Sequence, residues 1–247
     1  MRVQKLAEGT YRIGEFGKFG LVRMYLLIGE EKALLIDSGY GKIDLKKIVS
    51  RLTNKPVILV LTHGHIDHIS GSSSFPTYLS PLDFEVYQKH SDPEFIRPFL
   101  KETRASKNVL PLDWEELDLG GRRVRIIPTP GHTPGSVCLL DPFSKMAFCG
   151  DTINPWDVWL GLEESGSVSE YEKSLKALQN AIKESSITLL QSGHNFKPMK
   201  PDIVDDFIVL CERIQKGECK GKKVSKGICR GQKSIYKKAR LIWEKAK

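Results

Sequence analysis

The first third of the chain alternates short apolar runs with glycine or charged breaks. TYRIGEF, LVRMYLLIG and KALLIDSG are rich in β-branched and large apolar residues, and breaks such as Gly29-Glu30-Glu31 separate them. Each predicts a strand. In DLKKIVSRL the period changes: Leu45, Ile48, Val49 and Leu52 recur at helical spacing and predict a helix. PVILVLTHGH is then a continuous apolar run of strand length that ends in polar residues. That is the pattern of a strand buried on both faces and running out into a loop.

The same alternation continues to the C-terminal side. A helical stretch is expected over about Pro81 to Lys107. GRRVRIIPTPGH predicts a strand ending in turn residues at His132, and SVCLLDP with KMAFCGD predicts a hairpin whose second arm ends at Asp151. SVSEYEKSLKALQNAIKES predicts a helix capped by Ser167 or Ser169, with Tyr171, Leu175, Leu178 and Ile182 on one face. ITLLQSGHNF is a further apolar strand, ending at His194. IVDDFIVLCERIQKG is an amphipathic helix stopped at Gly217. No element is expected over Glu218 to Gly231, and no internal repeat is visible. Strands mixed with helices in this way give an α/β chain.

Composition narrows the class. The chain has 247 residues, 40% of them hydrophobic, enough for one sizeable core, and its 28% charged content does not suggest disorder. No run approaches ~20 apolar residues, so no bilayer-spanning helix and no membrane partner are expected. The N-terminal stretch lacks an apolar h-region, so no export signal is expected. Five cysteines, with no CxxC pair, fit free thiols in a reducing cytoplasm. Charge is uneven: Glu212 to Lys247 holds 13 Lys/Arg against 3 Glu, a net of +10, so residues 1–211 carry about −2 of the overall +8. A solvated surface is the ordinary reading of such a tail. An anionic partner, nucleic acid included, is the alternative.

The chemistry sits where the apolar strands end. LTHGHIDHISG places His63, His65, Asp67 and His68 within six positions, in a chain with six histidines. His132 and His194 close two other strands, and Asp151 closes a fourth. His90, in YQKHSD, reads as an exposed helix end without a role. A lone buried histidine is ordinarily a satisfied core residue. Three imidazoles and a carboxylate this close repel one another when charged, and are costly to bury when neutral and unpaired. A bound cation resolves both problems, and His with carboxylate is the usual ligand set for zinc and related metals. In an extended segment, residues two apart point to one side, so His63 and His65 can grip one ion together.

The series HxHxDH, TPGHTPGS, CGD and SGH, with LLIDSG upstream, resembles the metallo-β-lactamase-fold metallohydrolase superfamily from about Tyr11 to Phe196. Its motif set is similar to that of the small cytoplasmic glyoxalase II-like and lactonase-like hydrolases. The resemblance implies an αββα four-layer sandwich over residues 1–211, with residues 212–247 a basic extension packed on that domain or flexible. It implies two divalent metal ions, zinc by default, iron or manganese otherwise. His63, His65 and His132 would bind one ion; Asp67, His68 and His194 the other; Asp151 would bridge them. Asp37 matches a family aspartate that supports the ligands from behind, although an ordinary turn aspartate fits it equally on sequence alone. Two such ions about 3.5–4 Å apart share a bridging hydroxide, the nucleophile, with Asp67 orienting it or accepting its proton.

Absences narrow the family further. His65 stands where the oxygen-reducing diiron branch has Glu, Asp151 where one zinc β-lactamase group has Cys, and no inserted domain separates Asp151 from His194. The expected substrate is a small-molecule thioester, lactone or other small ester, as for hydroxyacylglutathione hydrolases. The alternative is a phosphodiester or nucleic-acid substrate met through the basic tail. Trp156 and Trp159 are candidates to wall an apolar pocket. The oligomeric state is open, a homodimer included.

Overall fold

Seven strands are laid down almost in chain order. In the computed structural model, which describes residues 2–244, they are β1 (Arg2–Ala7), β2 (Thr10–Gly17), β3 (Gly20–Ile28), β4 (Ala33–Ile36), β5 (Val57–Val60), β6 (Thr77–Leu79) and β7 (Val109–Pro111). They pair in that order into one sheet, antiparallel from β1 to β4 and parallel from β4 to β7. The parallel part needs crossovers. One carries α1 (Leu45–Ser50), capped by Asp44. The next carries α2 (Ile66–Ile69), and the third α3 (Phe84–Ser91) and α4 (Pro93–Ile96).

The helical stretch expected over Pro81 to Lys107 is therefore broken. Pro93 pushes Asp92 into an extended conformation, and the Asp92 carboxylate starts α4 afresh by accepting the amides of Glu94 and Phe95. No helix continues from Ile96 to Lys107.

A second sheet follows from β8 (Glu116–Asp118), β9 (Arg123–Pro128), β10 (Val137–Asp141) and β11 (Met146–Phe148). After β12 (Val158–Leu160) and α5 (Val168–Glu184) leave and return, β13 (Leu189–Gln191) joins it parallel to β11. The hairpin expected from SVCLLDP and KMAFCGD is β10–β11, and Ser167 caps α5 as expected.

Period-2 alternation explains the layering. Tyr25, Leu27, Leu34 and Ile36 of the first sheet face Val124, Ile126, Leu139 and Phe148 of the second in one shared core. The opposite faces are equally apolar. Met24, Leu26 and Leu35 pack on Leu45, Ile48 and Val49 of α1. Cys138 and Leu140 pack on Tyr171, Leu175 and Leu178 of α5 and on Phe207 and Leu210 of α6 (Asp202–Gln215). Two sheets back to back with helices outside make an αββα sandwich.

The C-terminal region adds a third sheet. β14 (Lys222–Lys226), β15 (Cys229–Tyr236) and β16 (Ala239–Trp243) form a meander whose last strand pairs in parallel with β12. Ala239, Leu241 and Trp243 enter the α5–α6 core. The segment 218–231, for which no element was expected, thus holds β14 and the start of β15. No helix among the described residues is long and apolar enough to cross a membrane.

Candidate metal centre

Four strand exits converge at one edge of the sandwich. β5 runs out through Leu61 and Thr62 to His63 and His65, and the single turn of α2 presents Asp67 and His68. His132 follows β9, Asp151 follows β11 and His194 follows β13. All seven predicted ligands meet here. Ligand atoms of His63, His65 and His132 form one group lying within 4.8 Å of one another, and those of Asp67, His68 and His194 form a second. Asp151 lies between them, its carboxylate 3.7 Å from His132 Nε2, 3.6 Å from His68 Nε2 and 3.2 Å from His194 Nε2. Gly193 makes the approach tight: a Cβ there would stand 2.5 Å from His68 Cε1 and 2.8 Å from Asp151 Oδ1.

What each ring does with its outer nitrogen fixes what the inner one offers. His132 Nδ1 donates to the Trp159 carbonyl at 2.8 Å, and His194 Nδ1 to the Leu21 carbonyl at 2.6 Å. His68 Nδ1 donates to Asp37 Oδ2 at 2.8 Å, and His65 Nε2 to Glu164 Oε1 at 2.9 Å. Thr62 gives its hydroxyl proton to Asp37, so its oxygen accepts from His63 Nδ1 at 3.0 Å. Carbonyls and carboxylates only accept, so these outer nitrogens carry the ring protons. The inner nitrogens of neutral rings are then bare lone pairs. His65 Nδ1 and His132 Nε2 oppose each other at 3.0 Å, and the inner nitrogens of His63 and His68 have no hydrogen-bond partner. Buried ring nitrogens left unpartnered are costly, and a bound cation would meet them.

Titration behaviour separates two kinds of imidazole. Burial, with neighbouring rings, pulls His63 well below its ordinary pKa; burial, with His90, pulls His65 to about 3. Burial opposes charge at His68 and His194 too, but carboxylates outweigh it. Asp37 and Asp67 bring His68 up to about 9, and Asp151 brings His194 up to about 10. For Asp151, the surrounding imidazoles outweigh burial and hold it below the carboxylate range. Without a metal, protons stand on His68 and His194 where a cation would otherwise neutralise the carboxylates.

Asp37 does more than one ordinary turn. At φ 60° it accepts the Thr62 amide at 2.7 Å, the Thr62 hydroxyl at 2.9 Å and His68 Nδ1, so one carboxylate orients the β5 exit and a ring together.

Three residues escaped the sequence reading. Asp83 is fully buried and accepts the Gly64 amide at 2.8 Å, the Thr133 hydroxyl at 2.7 Å and the Gly135 amide at 2.6 Å, tying the His63–His65 loop to the His132 loop. Glu164 takes the outer proton of His65. His90 corrects an expectation: it is not exposed but 2% accessible. Its ring packs 4.6 Å from that of His65, its Nδ1 accepts the Ile66 amide at 3.2 Å, and its Nε2 lies 3.5 Å from the same Glu164 oxygen. Because Nδ1 accepts, Nε2 bears the proton, and it makes no hydrogen bond to Glu164. His65, His90 and Glu164 also fall within metal-binding distance of one another, but a third ion on His90 Nε2 would require an imidazolate.

The cluster opens into a cavity of about 460 Å³. Trp156 and Trp159 both line it, as do Phe19, Phe95 and Phe99. Cys149 is fully buried in the α5–α6 core.

A family model of the metallo-beta-lactamase superfamily matches residues 17–194. The chain belongs to that superfamily. Among relatives, an acyl-coenzyme A thioesterase of Gallus gallus is 26% identical over 218 residues, 76% of each chain. A probable metallo-hydrolase of Methanocaldococcus jannaschii is 27% identical over 179 residues, 69% of this chain and 85% of that one. An uncharacterised Mycobacterium tuberculosis protein is 34% identical over 142 residues; that match spans 49% of this chain and 62% of the relative. Among solved structures, a superfamily metallo-beta-lactamase from Pontibacter korlensis superposes with a TM-score of 0.67 at 18% identity, covering 85% of this chain and 98% of the other. That likeness is one of fold.

Proposed function

We propose that this chain is a dinuclear metal-dependent hydrolase of thioesters. The observation that carries the reading is the set of imidazoles whose outer protons are all spoken for and whose inner nitrogens converge with two aspartates. His63, His65 and His132 would hold one ion, Asp67, His68 and His194 the other, with Asp151 between. Two divalent ions held there, zinc by default and iron or manganese otherwise, would supply a water of lowered pKa and polarise the scissile carbonyl.

The chain's own residues do the remaining work. Asp67 lines the cavity with Oδ2 3.4 Å from His194 Nε2, placed to orient the attacking water and take its proton. Asp37, Glu164 and the Trp159 and Leu21 carbonyls keep the imidazoles turned inward, so no ring reorients during turnover. In hydrolysis a water oxygen bonds to the acyl carbon, the C–S bond breaks, and the departing thiolate takes up a proton. No protein nucleophile is required, and all five cysteines are free thiols, in keeping with a cytoplasmic enzyme.

The thioester preference is supported by the thioesterase relative and the largely apolar cavity beside the cluster. A glyoxalase II-like hydroxyacylglutathione is one thioester of this class, and lactones or other small esters use the same geometry. The basic tail offers less to nucleic acid than its composition suggested, since Lys233, Lys237 and Lys238 pair with Asp157, Asp206 and Asp202 of the body. The test is turnover of S-acyl thioesters and S-D-lactoylglutathione by the zinc-loaded full chain. A kcat/KM above about 10⁴ M⁻¹s⁻¹ on one of them is expected, with His63→Ala and Asp67→Ala inactive. Retained turnover in both variants contradicts the two-metal reading. Activity on lactones alone moves the substrate class and keeps the centre.

A further inference from the structure

The family match ends at residue 194, yet one wall of the cavity comes from beyond it. The turn between β14 and β15 brings Lys226, Gly227 and Ile228 to the cavity, which Lys18 and Phe19 of the β2–β3 turn also line. Gly227 has φ 61°, the left-handed conformation a tight turn needs, and no atom lies within 4 Å of a Cβ built there.

What the turn presents is amphiphilic. Ile228 is 42% exposed and Trp156, also lining the cavity, 50% exposed. Exposed apolar side chains grouped at one opening commonly mark a ligand surface. Lys226 stands beside them, its Nζ 5.6 Å from the Trp159 ring centroid and 3.6 Å from Asp157. Asp157 is already met by Lys233 at 2.6 Å, so two lysines share one carboxylate and a positive charge is left over at the rim. Lys18, on the β2–β3 turn, adds another.

We propose that the β14–β15 turn is a substrate-recognition element, and that the substrate is an amphiphilic thioester. Its apolar acyl chain lies between Phe95, Phe99, Trp156 and Ile228, and its anionic thiol carrier meets Lys226 and Lys18. This inference rests on the thioester reading for its chemistry but can be tested apart from it. The probes are acetyl to octanoyl thioesters on a neutral carrier, N-acetylcysteamine, and on an anionic one, coenzyme A. The matching S-alkyl thioethers, which cannot be hydrolysed, are titrated by tryptophan fluorescence.

For the metal-loaded full chain, affinity for the thioethers should rise with chain length, by up to about fourfold per methylene until the cavity is full. Ile228→Ser should flatten that rise. Lys226→Glu should weaken the anionic-carrier ligands by about fivefold and leave the neutral ones unchanged. Thioether binding with this pattern but no thioester turnover upholds the recognition element and overturns the thioester chemistry. Turnover with thioether affinity indifferent to chain length and to both substitutions overturns the recognition element and leaves the chemistry intact. Equal losses on neutral and anionic carriers in Lys226→Glu also overturn it.

Discussion

Two carboxylates brace the cluster from opposite sides, and they do it differently. Asp37 comes from the loop after β4 and holds Thr62 and His68, so it fixes the β5 exit and one ring of the Asp67–His68–His194 group. Its side chain is 2% exposed, and every contact is made within the first sheet's own connections. Glu164 comes from the segment between β12 and α5. It holds His65 directly and His90 at longer range, and it is 11% exposed beside the cavity. Asp37 belongs to the scaffold, while Glu164 is a bolt inserted from another part of the chain. Loss of the first should damage fold and centre together, and loss of the second the centre alone.

The largest effect is expected for Asp37→Ala. Three buried donors lose their acceptor, each at a cost of about 1–3 kcal/mol, so denaturant midpoints should fall along with metal content. An unchanged midpoint would place Asp37 with Glu164 rather than with the scaffold. Next comes Glu164→Ala, which frees the outer proton of His65. Equilibrium dialysis should show the ion on His63, His65 and His132 bound about 10–100-fold more weakly while the other holds, with little change in unfolding midpoint. Equal weakening of both ions would erase the distinction between the two sides. In cobalt-substituted protein the visible absorption of one site should shift, and Glu164→Gln, whose carbonyl still accepts the His65 hydrogen bond, should restore most of it.

A smaller effect belongs to His90→Phe. The ring contact with His65 survives, while the Ile66 amide loses its acceptor on Nδ1 and the long 3.5 Å approach to Glu164 goes. Metal affinity should change less than about tenfold, the lower bound for residues behind a ligand. A loss as large as that of Glu164→Ala would make His90 an equal partner, or reveal an ion on it.

Acidity sharpens the same contrast. Aspartates raise His68 and His194 to about 9 and 10, so both rings are charged at pH 7 in metal-free protein and must release protons on loading. Burial holds His65 at about 3, so at neutral pH it has none to release. Affinity of the Asp67–His68–His194 group should therefore climb between pH 7 and 9 while that of the His65 side stays flat. In the metal-free fold the raised pair stabilises below pH 6.5 and loses that contribution as pH rises through about 9–10. His65, lowered, works against folding as pH falls below 6.5 toward 3.

How legible each part was follows from sequence distance. Strands with period-2 alternation, the α5 face and the seven converging residues are local patterns, and each could be read in place. Asp37 sits within LLIDSG and could be noticed, though not distinguished from a turn residue. Glu164 bonds a ring 99 positions away from inside LEESG, and nothing local marks it. His90 misled because its sequence neighbours Gln88 and Lys89 are exposed, although it falls in line with Val86 and Tyr87 on the buried face of its helix. The meander from Lys222 to Trp243 carries lysines and glycines through β14 and β15, and its packing on α6 and β12, rather than any alternation, makes it a sheet.

The proposed two-cation centre rests on the inward-turned nitrogens of the cluster. Its most direct measurement is the metal content of the full chain after dialysis against micromolar zinc at pH 7.5. Two ions per chain are expected, falling to one in Glu164→Ala at the same free zinc. Less than one ion per chain in the unaltered, folded protein would contradict it.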